Sequence, residues 1–440
     1  MRAGFVVGTL LGSVFFATMA HAGNDDEIIV GNRAAMLGGA INATVSDASS
    51  TWYNPAGLAA DARDKIDVSA TAYSLRSYTV PKFISTTTGQ AKDGSVTEFV
   101  TVPTQIAYVR RIAPNWSLGL GYFAPHVTNY VLREGLGEND PLGSQWQVAA
   151  TVAEALHTAG AALGSTVWPG VRVGMSLIGG YSTITQSFSL FGAVKNGGVL
   201  ETLSSGAYFA TSTRLTLESG IGVQIDVTPR LTLGMSARTP RMQIYRDTDV
   251  SINESFSNAD GTYAQAFRPV EGELSFAPLL AGRATLALSY RVASGWVAWE
   301  FDVQPGITAT DLGVDRKAVA NARLGLYQRV HPAVALGFGL FTDRTADPKR
   351  IELMSGNGDF YGATAGVEID TEHQLASQSG PKSLIFSNVF SIRYAHSSGF
   401  FGRAVGNPDA LNPATGVFEA APGKLYVHEL AFYVGSGLHF

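Results

Sequence analysis

Six arginines, Arg172, Arg214, Arg238, Arg283, Arg323 and Arg393, fall within segments that alternate apolar and polar residues. A guanidinium grips a carboxylate with two parallel N–H donors. These side chains are therefore the candidates to hold an anionic ligand head, with Arg283, Arg323 and Arg393 foremost as carboxylate-binding residues. The structural alternative is equally concrete. Glu218, Glu300, Asp302, Glu368 and Glu429 lie in similar segments, and wall charges of opposite sign form networks that need no ligand. Other chemistry is thinly represented. The chain has no cysteine, which removes disulfides, thiolate metal sites, thiol nucleophiles and a lipid-anchored N-terminal cysteine. Its histidines lack H-E-x-x-H or comparable ligand spacing. The glycine pairs at 119/121, 220/222, 337/339 and 356/358 continue neither as G-x-G-x-x-G nor as a phosphate loop. Asp247-Thr248-Asp249, with Glu254 and Asp260, lacks the glycine and late glutamate of a calcium loop. No nucleophile–base pair is identifiable. The residues argue against an enzyme and call for neither cofactor nor metal.

The 440 residues are 45% hydrophobic and only 15% charged, with a net charge of −5. That balance offers no basic stripe for nucleic acid. Residues 1–22 read as a secretory signal peptide: Arg2 forms the positive start, Phe5–Met19 the apolar stretch, and Ala20-His21-Ala22 the small-x-small cleavage site. No later segment has the composition of a membrane-spanning helix. Val148–Trp168 comes nearest, but Glu154 and His157 interrupt it, and a charge at mid-membrane costs about 2.5–3.5 kcal/mol. It is either a long strand or a helix outside the bilayer.

What must position these residues is a set of about fourteen segments, from roughly 65–78 to roughly 424–440. In them apolar and polar residues alternate with the period of a strand. Leu215, Leu217, Ile221 and Val223 share one face; Arg214, Thr216, Glu218 and Gln224 share the other. Val297, Trp299, Phe301 and Val303 alternate with Ala298, Glu300 and Asp302. The connections alternate too. Ala113-Pro114-Asn115, Trp168-Pro169-Gly170, Thr228-Pro229-Arg230, Ala293-Ser294-Gly295 and Val330-His331-Pro332 are tight, while 79–97, 131–144, 190–208 and 247–272 are long and polar. Short turns at one end and long loops at the other are the pattern of an outer-membrane β-barrel. The predicted fold is all-β, a transmembrane antiparallel barrel of about fourteen strands over 64–440. The last strand ends on Phe440, with Leu430, Phe432, Val434 and Leu438 on its face, and resembles the C-terminal signal read by the barrel-assembly machinery. The expected setting is the outer membrane of a Gram-negative bacterium, as a lipid-embedded monomer.

Residues 23–63 differ from everything after them. They are rich in Ala, Gly, Ser and Asp and lack strand periodicity. Gly38-Gly39 permits close backbone packing and Asn54-Pro55 favours a turn. A wide barrel leaves space for such a segment, so 23–63 is predicted to form a compact plug, or hatch, within it.

The stretch Asp47-Ala-Ser-Ser-Thr-Trp52-Tyr-Asn54-Pro55-Ala56-Gly57-Leu58 resembles the long-chain fatty acid transporter (FadL-like) family of outer-membrane proteins, which includes channels for toluene and other aromatic hydrocarbons. The likeness extends to Trp116-Ser-Leu-Gly119-Leu-Gly121-Tyr-Phe-Ala-Pro125, Gly220-Ile-Gly222, Arg238-Thr-Pro240 and Arg323-Leu-Gly325. The resemblance implies a fourteen-stranded barrel with an N-terminal hatch. It implies ligand access through the loops after the fifth and seventh strands (here 190–208 and 247–272), binding inside the barrel, and lateral exit into the membrane. The exit is implied at a kink in the third strand beside the hatch's Asn-Pro turn, which makes Asn54, Pro55, Ala56, Gly119, Gly121 and Pro125 the expected path. Asn54 would then satisfy backbone groups freed where Gly119, Gly121 and Pro125 interrupt pairing. The function so implied is passive uptake of a hydrophobic small molecule, a long-chain fatty acid or hydrocarbon. The alternative is a barrel scaffold or shuttle in protein secretion, which carries similar hatches; a barrel-embedded hydrolase lacks a catalytic constellation.

Overall fold

The computed structural model describes residues 28–440 except 62, 88, 138–142, 197–198, 259–262, 272–276, 310–313, 350, 352, 354–355, 376–381 and 408–417. The signal peptide at 1–22, the first residues of 23–63, and Asp260 lie outside the described residues. Fourteen barrel strands follow in chain order. They are β1 Lys65–Thr86, β2 Ala91–Ala113, β3 Trp116–Leu136, β4 Gln145–Trp168, β5 Val171–Asn196 and β6 Val199–Thr228. Then come β7, broken at Thr239-Pro240 into Leu231–Arg238 and Arg241–Asn258, and β8, in three pieces, Tyr263–Glu271, Ala277–Leu280 and Arg283–Val292. The ring continues through β9 Gly295–Gln304, β10 Val319–His331, β11 Val334–Asp343, β12 Gly356–Leu375, β13 Lys382–Gly406 and β14 Phe418–His439.

Each strand pairs antiparallel with the next, and β1 closes the ring on β14, from Lys65 opposite His439 to Thr79 opposite Tyr426. Closure removes the free edges that an open sheet would present to lipid at β1 and β14. The alternation seen in the sequence sorts the two faces. On β9, Trp299 and Phe301 are 46% and 60% exposed on the outside, whereas Glu300 between them is 1% exposed. Leu215, Leu286, Phe338, Ile392 and Phe432 carry the same outward apolar band around the ring. A wall that is apolar outside and polar inside is a membrane barrel.

Val148–Trp168 lies in β4, a strand. Strand parity turns Glu154 inward with Val152 and Leu156, and sets His157 on the opposite face, where its ring lies 2.7 Å from the Tyr122 hydroxyl. The connections expected as loops are shorter than the sequence indicates. Segment 190–208 is the tip of a ribbon formed by β5 and β6, paired up to Asn196 opposite Val199. Likewise 247–272 is largely the hairpin of β7 with Tyr263–Glu271. Beyond the bilayer a strand needs only its pairing partner, so the apolar alternation fades while the ladder continues.

One ribbon tip folds back over the mouth. Lys82 has a left-handed backbone (φ 52°), and the register jumps between Val80 and Ile84. This turns Phe83 inward onto Gly94, where a Cβ would lie 2.7 Å from the Phe83 ring. Ile84–Thr86 then pair parallel with Ala404–Gly406 of β13. Phe83 and Ile84 join Trp146, Leu190, Phe401 and Phe418 in an apolar cluster at this end of the ring.

Residues 28–61 contribute two short helices, Asn32–Met36 and Ser50–Tyr53, and a 3-10 turn, Pro55–Ala59. The first helix contacts β11 to β14, and the 3-10 turn contacts β3 to β6, on the opposite side of the ring. Met36, Leu37, Ile41 and Leu58 are fully buried there.

Candidate functional site

Glycines in the wall set how the N-terminal segment lies against it. A Cβ on Gly174 of β5 would fall 2.3 Å from the Pro55 carbonyl carbon; one on Gly222 of β6 would fall 2.0 Å from Asn54 Oδ1. Gly339 of β11 and Gly435 of β14 leave matching room for Leu37 and Asn32. Polar groups then fasten the segment. Glu368 on β12 binds Arg33 at 2.8 Å, Glu300 on β9 accepts from the Asn42 amide at 3.0 Å, and Asp67 on β1 accepts from the Ala48 amide at 2.7 Å.

Asn54 is fully buried, and its partners differ from those expected. Its Oδ1 accepts from the Ala56 amide at 3.2 Å, capping the turn that begins at Pro55. Its Nδ2 donates to the carbonyls of Asn42 (3.0 Å), Val223 (3.2 Å) and Met235 (3.4 Å). These lie in the segment itself, on β6 and on β7. The expected bond to the third strand is corrected: Thr51, Trp52 and Leu58 face β3, and Asn54, between Trp52 and Leu58 in the chain, points to β6 and β7. Pro55 and Ala56 abut Gly174.

The third strand itself is broken, at a narrower place than the sequence indicated. Gly119 pairs with Val109 and Ala162, and Gly121 with Ala107 and Gly160, so both glycines hold normal ladder positions. Gly119 instead makes room for Thr51 and Leu58, and Gly121 for the Phe123 ring, which lies 5.3 Å from Trp52. The break comes at Ala124-Pro125, where the β3–β4 register shifts between Phe123 and His126. Glycine keeps its N–H and proline does not, which is why the proline marks the interruption and the glycines do not. From there on β2 and β3 part. Their ladder ends at Gln105 opposite Phe123; beyond it β2 pairs with β1 and β3 with β4.

Side chains occupy this seam. The Pro125 carbonyl accepts from the Ile28 amide at 2.9 Å. Glu98 on β2, 1% exposed, accepts from the Asn129 amide and from Thr128 Oγ1 (3.2 Å) on β3, and from the Tyr78 hydroxyl (3.0 Å) on β1. Farther out, Lys92 on β2 meets Glu134 on β3 at 2.8 Å. Beside the seam is a narrow cavity. Its apolar lining includes Ile28 and Ile29 of the N-terminal segment, Val100 of β2 and Val127 of β3; its polar lining includes Arg76, Arg393, Glu429 and Tyr433.

Five of the six arginines meet wall partners, while Arg214 of β6 stands opposite Arg246 of β7. Arg393 binds Glu429 at 2.8 Å and lies over the Phe341 ring. Arg323 binds Glu300 at 2.8 Å and Asp302 at 3.3 Å. Arg283 faces the Gln304 amide, whose oxygen, turned toward it, accepts at 2.7 and 3.0 Å. Arg172 meets Asp226, and Arg238 meets Glu218 while stacking over Trp52. Only Arg393 of the three foremost candidates lines the cavity beside the seam. Sequence reasoning passed over Arg76 and Glu98. Their signal was parity: Glu98 is a charge on the inward face of β2, beside the break, and Arg76 is one on the inward face of the adjacent strand, β1.

No family model matches the sequence, and no curated protein matches it either. Solved structures do resemble it in three dimensions. A FadL homologue from Pseudomonas aeruginosa aligns over 94% of this chain and 99% of its own with a TM-score of 0.62 and 11% identity. The P. putida toluene transporter TodX aligns over 94% of this chain and 99% of its own, with a TM-score of 0.58 and 12% identity. The CymD monoaromatic hydrocarbon channel covers 93% of this chain and 97% of its own, with a TM-score of 0.56 and 11% identity. A closed fourteen-stranded ring, aligned almost end to end with these channels, gives the chain the FadL-like barrel fold.

Proposed function

We propose that this chain is an outer-membrane channel for passive uptake of hydrophobic small molecules, with residues 23–63 as its hatch and the β2–β3 seam as its lateral opening. The observation that carries this reading is the seam: in a barrel otherwise closed by backbone pairing, β2 and β3 separate beyond Gln105 and Phe123 beside a cavity. An apolar solute meets a barrier in the polar saccharide layer of the outer leaflet. A route through the ring and out sideways delivers it into the hydrocarbon layer, where it partitions favourably. Solved structures of the same fold include ones described as a toluene transporter and a monoaromatic hydrocarbon channel, which supports a hydrophobic cargo here. Signal-peptide export, assembly by the barrel-assembly machinery and a monomeric state complete the proposal.

The test is uptake of radiolabelled dodecane by cells expressing the chain, normalised to folded barrel at the surface. Accumulation above that of cells lacking the chain is the expected result. Background uptake together with a stoichiometric co-purifying secretion protein would reverse it in favour of a scaffold.

A further inference from the structure

The cavity beside the seam is lined by more charge than an apolar cargo requires, and a carboxylate just outside the lining completes the balance. Glu429 stands between two cations, accepting from Arg76 Nη2 at 2.9 Å and from Arg393 Nη1 at 2.8 Å. Glu98, outside the cavity lining, adds a second carboxylate 3.5 Å from Arg76 Nη1. Arg76, Glu98 and Glu429 are 4%, 1% and 2% exposed. Two guanidinium groups and two carboxylates sum to zero.

A carboxylate arriving here gains nothing from the arginines unless it displaces Glu429 or Glu98. Either displacement leaves a buried carboxylate without its partner, a heavier penalty than the new pair returns. Displacing Glu98 would also free the Asn129 amide and the Thr128 hydroxyl that it satisfies across the seam. An uncharged molecule leaves this arrangement intact and, widening a space of about 30 Å³, lies against Ile28, Ile29, Val100 and Val127. The surroundings reinforce the bias. Deeper in the ring, Arg323 faces two acids, Glu300 and Asp302, both 1% exposed.

We infer that the cavity selects uncharged hydrophobic molecules and rejects carboxylates, and that Glu429 and Glu98 set this selectivity by neutralising Arg76 and Arg393. The inference rests on the channel reading above and narrows its cargo to hydrocarbons and their uncharged derivatives. The arginines are therefore structural counter-ions. They become a carboxylate site only when an acid is removed.

The experiment measures retention of radiolabelled dodecanol and dodecanoate by the purified, detergent-solubilised barrel, at a pH where the free carboxylate is ionised. Wild type is expected to hold dodecanoate about tenfold or more weaker than dodecanol, the scale of one charge-assisted hydrogen bond. Glu429→Gln leaves the two arginines with a single carboxylate. It is expected to tighten dodecanoate by about tenfold while moving dodecanol by less than about threefold. Glu98→Gln makes the same charge change from the other side, and serves if Glu429→Gln does not yield a heat-modifiable barrel. Wild-type affinity for dodecanoate equal to that for dodecanol overturns the inference, as does an unchanged ratio in a folded variant. Retention of neither probe by wild type overturns the channel reading, and the inference falls with it.

Discussion

Asn54 shows how a single residue ties the N-terminal segment to the wall. Its amide joins the Asn42 carbonyl to carbonyls of β6 and β7. Asn54→Ala strands these groups, at about 1–3 kcal/mol for an unsatisfied buried partner. The loss belongs to the segment and not to the ring. Amides of residues 42–59 should exchange with deuterium faster in the variant, while strand amides and heat-modifiability stay as in wild type; uniform acceleration throughout the barrel would contradict this. Gly174→Leu should act in the same direction, because its side chain must occupy the place of the Pro55 carbonyl group, and backbone cannot swing aside as a side chain can. The sequence made the Asn54-Pro55 turn legible through local chemistry. It could not reveal that the Asn54 amide bonds to β6 and β7 and not to β3, since that depends on where a short helix ends inside the ring. The arginines divide in the same way. Strand parity placed Arg283, Arg323 and Arg393 on the inner face, but their partners follow from cross-strand register, and Glu429 reaches Arg393 only because β13 and β14 align Arg393 opposite Ala431.

At the scale of an element, β3 is two strands in one. As far as Phe123 it is held on both sides; beyond His126 it is paired on the β4 side alone. Alternate amides of a strand point to opposite neighbours. Those of Val131 and Arg133, on the same side as the Glu98-bound amide of Asn129, should therefore exchange faster than those of Tyr130 and Leu132, which face β4. Glu98→Ala should add Asn129 to the fast set. Equal protection on both sides of β3 would mean that the seam is closed by more than side chains. The proline that ends the ladder was visible in the sequence, but the glycines beside it were misleading, because an inward glycine marks close approach as readily as broken pairing. The last strand carries a separate prediction. Asp64 and Phe440 exchange backbone hydrogen bonds at 3.0 and 3.1 Å where the ring closes. Deleting Phe440 should lower the heat-modifiable fraction recovered from the outer membrane, and unchanged assembly kinetics would remove its role as an assembly signal.

Across the whole molecule, the alternation of tight and long connections made the ring and its fourteen strands legible before any three-dimensional neighbour was known. What it hid was the extent of the strands, since ribbons such as β5–β6 run past the apolar band with no change of pairing. It also hid the fold-back of Phe83 onto Gly94, which depends on one left-handed residue. Because the chain has no cysteine, orientation is open to single-site labelling. Cysteines at Val199 and Ile351, exposed at one end of the ring, should react with an impermeant maleimide in intact cells, while cysteines at Arg230 and Ala293 in the short turns should not. The reverse pattern would invert the barrel in its membrane.

The central claim is that a hydrophobic molecule leaves through the β2–β3 seam. Val100 on β2 and Val127 on β3 line the same cavity from its two sides, and paired cysteines there can be joined by a cleavable bis-maleimide. Uptake of radiolabelled dodecane by this double variant should fall to background once the bridge is made and return when it is cleaved. Undiminished uptake through a fully bridged seam would contradict the account.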